Sequence, residues 1–155
     1  MSETAAEKPA FRDAMRRRHC LVPADGFYEW VRLGLKKKQP YNFGMFDDSV
    51  FAFAGLGERW RDPDSEVVET GTILYTTPNP VVVQDRMPVI LRAGDCNLRL
   101  DPGVTDAASA AGSLKPFDAG LKKKYPVGLR VNRAENDDPE CARAVPIAGT
   151  APKLF

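Results

Sequence analysis

The stretch from Cys20 to Trp30, Cys-Leu-Val-Pro-Ala-Asp-Gly-Phe-Tyr-Glu-Trp, constrains the fold of this chain more than any other. Asp25 can hydrogen-bond its own backbone and Gly26 can adopt a positive φ, so the pattern predicts a strand, a tight turn and a second strand. Because side chains alternate along a strand, Phe27 and Glu29 lie on one face. We therefore predict a β-hairpin with a carboxylate beside an aromatic ring, which needs water, a partner or a substrate to meet it.

Most of the following sequence is typical of antiparallel strands. Aromatic and β-branched residues are frequent in residues 39–46 and 50–56, which the Asp47-Asp48 turn separates, and we expect these two strands to be neighbours. Further strands are predicted at residues 67–77, 89–91 and 126–131.

Two segments are predicted to contain helix. Residues 8–18 place Phe11, Ala14 and Met15 on one apolar face. From residue 95 the pattern weakens to a short helix and a loop, with anchors at Leu98, Leu100 and Leu114. The predicted fold class is α+β with mostly antiparallel strands.

Length and composition exclude several classes of protein. A chain of 155 residues predicts one domain over residues 1–155, with a frayed tail from residue 145. The 22 Lys and Arg nearly balance the 21 Asp and Glu, so no strong global field attracts nucleic acid or a membrane. No stretch reaches the roughly 18 apolar residues of a spanning helix, and we expect a cytoplasmic protein without a membrane partner.

The cysteines and the histidine exclude other kinds of site. Cys20, Cys96 and Cys141 are an odd, widely spaced set without a C-x-x-C motif, which argues against a disulfide framework and structural zinc. A single histidine, His19, cannot provide a triad or a histidine metal cluster. With no Gly-rich phosphate loop either, we expect no metal and no cofactor.

The positive charge is clustered although its total is balanced. Three basic triplets, at residues 16–18, 36–38 and 122–124, are interpreted as solvated helix ends or turns, with local polyanion binding as the alternative. On its own, Glu29 is typical of a partly solvated strand carboxylate and Arg86 of a structural ion pair. Their functional alternatives are an acid–base residue and a phosphate contact.

Several runs, in matching order over nearly the whole chain, resemble the SOS-response-associated peptidase family, which processes abasic sites in single-stranded DNA. They are Ser2-Glu3-Thr4, Lys8-Pro9, Phe11-Arg12, Arg17 with Cys20 to Trp30, Gln39-Pro40-Tyr41, Phe53-Ala54-Gly55-Leu56, Asp85 to Leu91, and Asn136 to Glu140. The resemblance implies a curved antiparallel sheet, shaped like an open barrel with flanking helices, whose groove accepts single-stranded DNA. We also expect the folded chain to be a monomer.

The resemblance further implies a covalent chemistry. In the family, an N-terminal cysteine reacts with the aldehyde of the abasic site and forms a stable thiazolidine, and the same cysteine removes its own leader, which makes the family peptidases. An α-amine with a pKa near ~8 is partly neutral at pH 7 and can form the Schiff base that the thiolate closes into a ring. A nearby carboxylate and an imidazole move the protons.

Site residues follow from the resemblance position by position. Glu29 corresponds to the family's catalytic glutamate, and Arg86 to an arginine that contacts DNA near the lesion. Thr76 falls near a threonine of the same pocket, while Glu3 and Thr4 continue a segment whose earlier part contacts the DNA backbone.

Two departures from the family bear on activity. Gln84 occupies the position of the family's catalytic histidine, and glutamine cannot titrate near neutrality, so proton transfer there is expected to be impaired. The family's front segment, about half of a typical domain in length, has no counterpart, so the sequence resembles an N-terminally incomplete member that forms no covalent adduct. A non-covalent single-stranded DNA-binding module and a degenerate remnant are the alternatives.

Overall fold

The computed structural model describes residues 8–34, 37–61, 63, 66–76, 86–103, 112, 114, 117–118, 120 and 122–147. In chain order the elements are α1 (Pro9–Arg17), β1 (His19–Ala24), β2 (Gly26–Arg32), β3 (Lys38–Met45), β4 (Phe51–Arg61), β5 (Val67–Ile73), β6 (Tyr75–Thr76), β7 (Met87–Pro88), β8 (Ile90–Leu91), α2 (Ala93–Leu100) and β9 (Lys122–Pro126). Two 3₁₀ helices follow at Leu129–Asn132 and Pro139–Ala142. The predicted α+β class with mostly antiparallel strands is confirmed, and the sheets are open.

The chain divides into two compact units. The first comprises residues 1–24 and 50–119, and the second comprises residues 25–49 and 120–155. The expected single domain over residues 1–155 stays a prediction, and the tail beyond residue 147 lies outside the described residues.

Strand β4 is the centre of the first unit. It pairs antiparallel with β1, β5 and β8, while β6 pairs with β7. The predicted apolar face of α1 is confirmed, because Ala14 and Met15 are 2% and 1% exposed. Full burial of a Met side chain stabilises the fold by about 1.5–3 kcal/mol. The core around them contains Ala54, Leu56, Leu74, Val89, Leu91 and Leu114.

The second unit is built on the antiparallel sheet β2–β3–β9. The stacked rings of Phe27 and Phe43, with centroids 5.3 Å apart, join β2 to β3. The buried Gln39 amide donates to the carbonyls of Pro40 and Val127, at 3.0 and 2.8 Å, and so fixes the start of β3 against the end of β9.

The predicted hairpin between Cys20 and Trp30 is wrong. Strand β1 pairs with β4 and β2 pairs with β3, so the chain changes sheets at Asp25. One residue between two strands is too short for a two-residue hairpin loop, and Gly26 does not have a positive φ. Gly26 instead leaves little space for a side chain, because a Cβ there would lie 3.0 Å from the Asn42 side chain and 3.2 Å from the Phe43 carbonyl oxygen.

Two other sequence predictions are corrected. Strands β3 and β4 are not neighbours: β3 lies between β2 and β9, and β4 lies between β1 and β5. The strand expected at residues 126–131 is β9 (Lys122–Pro126), followed by a 3₁₀ helix. Local patterns identified the segments, but pairing between distant segments depends on the tertiary fold.

Helix α2 reverses the predicted burial of its residues. Leu98 and Leu100 are 42% and 53% exposed, whereas Arg99 is 2% exposed. The helix places Cys96 and Arg99, three residues apart, toward the sheet, and the two leucines therefore point away from it. Leu114 is buried as predicted.

Candidate functional site

Glu29 lies in the middle of β2 and is 9% exposed. It is opposite Tyr41 on β3, and Phe27, two residues earlier, is opposite Phe43. The predicted placement of this carboxylate beside aromatic rings on one strand face is thus confirmed. The sequence produces it through simple alternation, because residues two apart on a strand share a face.

Two lysines of β9 complete this sheet face. Lys124 is opposite Phe43, and its Nζ lies 5.9 Å from the centroid of the Tyr41 ring, which makes a cation–π contact. Lys122, two residues away, is on the same face. The basic triplet at residues 122–124 was interpreted as a helix end or turn, which is wrong because it is a strand. Sequence reasoning therefore missed Lys122 as a charge near Glu29.

Burial raises the pKa of the Glu29 carboxyl above its usual value, because the charged form loses solvation. The positive charge of Lys122 acts in the opposite direction and favours the carboxylate. Within the part of the chain that the structure describes, no group donates a hydrogen bond to Glu29. A carboxyl with a raised pKa and vacant lone pairs is a candidate for an acid–base residue.

Thr76 and Arg86 lie close together in the first unit. Thr76, 5% exposed, is opposite Met87 in the β6–β7 pair, and Arg86 directly precedes Met87. Arg86 is exposed, and no ion pair or hydrogen bond joins it to another described residue. An exposed guanidinium can bind a phosphate through two parallel hydrogen bonds. The structure therefore brings two of the predicted nucleic-acid contacts together.

The other predicted site residues, Glu3, Thr4 and Gln84, lie outside the described residues. All three cysteines are free thiols inside the chain, so each has its own nitrogen in a peptide bond. A thiazolidine needs the amine and the thiol on one residue, which Cys20, Cys96 and Cys141 cannot provide.

Across the described ranges, no three His, Cys, Asp or Glu side chains are grouped as metal ligands. No helix in those ranges is both long enough and apolar enough to cross a bilayer.

Comparison with known proteins gives consistent matches. The abasic site processing protein YoqW of Bacillus subtilis is 40% identical over 141 residues, covering 90% of this chain and 63% of YoqW. The abasic site processing protein HMCES of Xenopus tropicalis is 29% identical over 166 residues, covering 93% of this chain and 49% of HMCES. The chain therefore spans about two thirds or less of the length of these relatives.

A solved structure and a family model agree with these matches. A crystal structure of a Bacteroides thetaiotaomicron protein superposes with a TM-score of 0.84 at 31% identity, covering 93% of this chain and 64% of that one. The model of the SOS response associated peptidase (SRAP) family matches residues 1–134, which include Glu29, Thr76 and Arg86. This chain belongs to the SRAP family.

Proposed function

We propose that this chain acts in the processing of abasic sites in DNA, binding the damaged DNA as a single strand. Glu29 is the acid–base residue of the proposal, and Arg86 is a phosphate contact. Gln84 stands at the catalytic position of the family's histidine, and Thr76, Glu3 and Thr4 are further contacts to the DNA. The protein is expected to act as a cytoplasmic monomer.

The proposal depends mainly on the environment of the Glu29 carboxyl. The carboxyl is buried on a strand face, its pKa is raised, and the described residues offer it no hydrogen-bond donor. A group of this kind matches the chemistry of an abasic sugar, whose ring opens when a proton moves between its hydroxyl and its ring oxygen. Membership in a family whose relatives are named abasic site processing proteins supports the same function.

Exposed cations support the DNA-binding part of the proposal. Arg86 is exposed next to the buried Thr76, and Lys124 is exposed on the Glu29 sheet face. Contacts between such cations and phosphates release counterions, so the binding is expected to weaken steeply with salt. A single strand is favoured because an abasic sugar without a stacked base can turn out of the strand.

The test measures how the 155-residue protein binds two labelled single-stranded oligonucleotides, identical except for one abasic site, at several salt concentrations. We expect tighter binding to the abasic oligonucleotide. Glu29→Gln should reduce this preference by about tenfold or more, the worth of a hydrogen bond to a charged group. Arg86→Ala should weaken the binding of both oligonucleotides equally and lower the salt slope by about one.

The exposed Arg12 on α1 provides a matched control, because Arg12→Ala removes the same charge from a residue that is not among the proposed DNA contacts. Equal binding of both oligonucleotides by the wild-type protein would refute the abasic-site proposal, and so would an unchanged preference in Glu29→Gln. Equal affinity for duplex DNA would refute only the single-strand part. A denaturing gel with peptide mapping is expected to find no thiazolidine at Cys20, Cys96 or Cys141.

A further inference from the structure

Arg99 is an unusual residue in the first unit because it is a buried cation with vacant donors. It is 2% exposed and lies near the end of α2, where its Nη2 donates to the carbonyl of Gly55 on β4 at 3.3 Å. Its Nε and Nη1 have no accessible surface and no hydrogen-bond partner among the described residues. Two N–H donors of a guanidinium thus lie in the interior without an acceptor.

Cys20 lies next to Gly55, the residue whose carbonyl accepts the hydrogen bond from Arg99. In the β1–β4 register Cys20 is directly opposite Gly55. A methyl group on Gly55 would lie 2.7 Å from the Cys20 Sγ, so the sulfur rests on the glycine backbone. The thiol is free and partly exposed, which leaves it accessible to a small molecule. The glycine therefore allows the thiol and the guanidinium to approach the same backbone position.

The other charged groups around β1 do not neutralise Arg99. Arg18 forms its own ion pair with Glu58, at 2.9 Å. The His19 Nε2 lies 2.7 Å from the carbonyl of Met15, and burial with the nearby Arg99 charge lowers the His19 pKa, which favours the neutral ring. Burial raises the pKa of the Cys20 thiol, while Arg99 acts to lower it.

The vacant donors have no accessible surface, and an anion at the neighbouring sulfur would give them an acceptor within the protein. The anion that the described residues offer here is the thiolate of Cys20, or an oxidised form of it. We propose that Cys20 and Arg99 form an oxidation site for small hydroperoxides, in which the guanidinium holds the sulfur anion before and after the reaction. This site is separate from the proposed DNA chemistry of Glu29.

The reaction is a two-electron oxidation of sulfur. The thiolate attacks one oxygen of the hydroperoxide, a sulfur–oxygen bond forms, and the oxygen–oxygen bond breaks. The proton of the transferred hydroxyl goes to the departing oxygen, which leaves as an alcohol, or as water when hydrogen peroxide is used. The remaining sulfenate is an anion with an acceptor oxygen, and the vacant Nε–H and Nη1–H groups can donate to it.

Cys96 provides a control within the same protein. It is partly exposed like Cys20, and its pKa is also raised by burial, but its charged neighbour is the acidic Asp95. The experiment treats the full chain with hydrogen peroxide at pH 8, traps sulfenic acid with a dimedone probe, and measures each cysteine by mass spectrometry. We expect labelling at Cys20 to exceed labelling at Cys96 by about tenfold or more, because a nearby cation favours the thiolate and a nearby carboxylate disfavours it.

Two variants separate the charge of Arg99 from its packing. Arg99→Met keeps a long side chain and removes the charge, so it should slow the labelling of Cys20 about tenfold. Arg99→Lys restores a cation and should recover part of the rate. Equal labelling of Cys20 and Cys96 in the wild-type protein would overturn the proposal, and that measurement does not depend on any variant folding. Unchanged Cys20 labelling in a folded Arg99→Met protein would also overturn it.

Discussion

Replacing Arg99 by methionine is expected to stabilise the protein. In the wild-type chain two buried guanidinium nitrogens have no described partner, and an unsatisfied buried donor costs about 1–3 kcal/mol. Methionine fills a similar volume without polar atoms. The change removes one long hydrogen bond to Gly55, which contributes about 1 kcal/mol. The expected net gain is about 1–5 kcal/mol in the free energy of unfolding.

Urea denaturation at pH 7 measures this gain. The midpoint of unfolding should move to a higher urea concentration with an unchanged slope, since the area exposed on unfolding is nearly the same. For a chain of this size a gain of about 2 kcal/mol raises Tm by about 4–8 °C. Arg12→Met, on the exposed surface of α1, is the matched control and should change the stability by less than about 0.5 kcal/mol.

The opposite result would refute the reasoning. If Arg99→Met unfolds more easily than the wild-type protein by more than about 1 kcal/mol, the guanidinium has a stabilising acceptor. Arg99→Lys would then lie between the two, because lysine keeps the charge but loses the planar donor arrangement.

Three further predictions use thermal or urea unfolding. Gly55→Ala should lower the free energy of unfolding by about 1–3 kcal/mol, because the new methyl group would lie 2.7 Å from the Cys20 sulfur. Adding Cys20→Ala should relieve much of this loss. Gly71→Ala, where a methyl group would have no neighbour within 4 Å, should be neutral or stabilising. Because the pKa of Glu29 is raised, its contribution to stability is complete below pH 4.5 and is lost as the pH rises through the folded-state pKa. Glu29→Gln should therefore be more stable than the wild-type protein at pH 7 and should lose this advantage by pH 4. The pKa of His19 is lowered, so its contribution to stability is present above pH 6.5 and is lost as the pH falls through the folded-state pKa. His19→Gln should remove this part of the acid sensitivity. If either variant keeps the pH profile of the wild-type protein, the pKa shift assigned to that residue is contradicted.

Local sequence patterns predicted the segments of this fold better than their partners. The spacing of Phe11, Ala14 and Met15 identified α1, because a helix face repeats every three to four residues and depends on that segment alone. The same kind of reasoning placed Glu29 beside aromatic residues. By contrast, the separation of β1 from β2 depends on β4 and β3, which compete for them from outside the segment.

The charge of Lys122 near Glu29 could not be predicted from the sequence, for a similar reason. Three consecutive lysines carry no apolar alternation, so nothing in residues 122–124 indicates a strand. They become β9 because their backbone pairs with β3, opposite Phe43, Gly44 and Met45. This pairing puts Lys122 and Lys124 on the Glu29 face, and only the register of the sheet could reveal it.

Helix α2 shows where a failed prediction carries information. A hydrophobic pattern would bury Leu98 and Leu100 and expose Arg99, yet the helix does the reverse. A buried charge without a partner costs several kcal/mol of stability. A residue that departs from the hydrophobic pattern at this cost is expected to have a function. The candidate partner for Arg99 is Cys20, because its sulfur and the guanidinium both lie next to Gly55. If the arginine stabilises a sulfur anion, Arg99→Met should gain stability and lose thiol reactivity together, and a gain without that loss would leave the buried charge without a function.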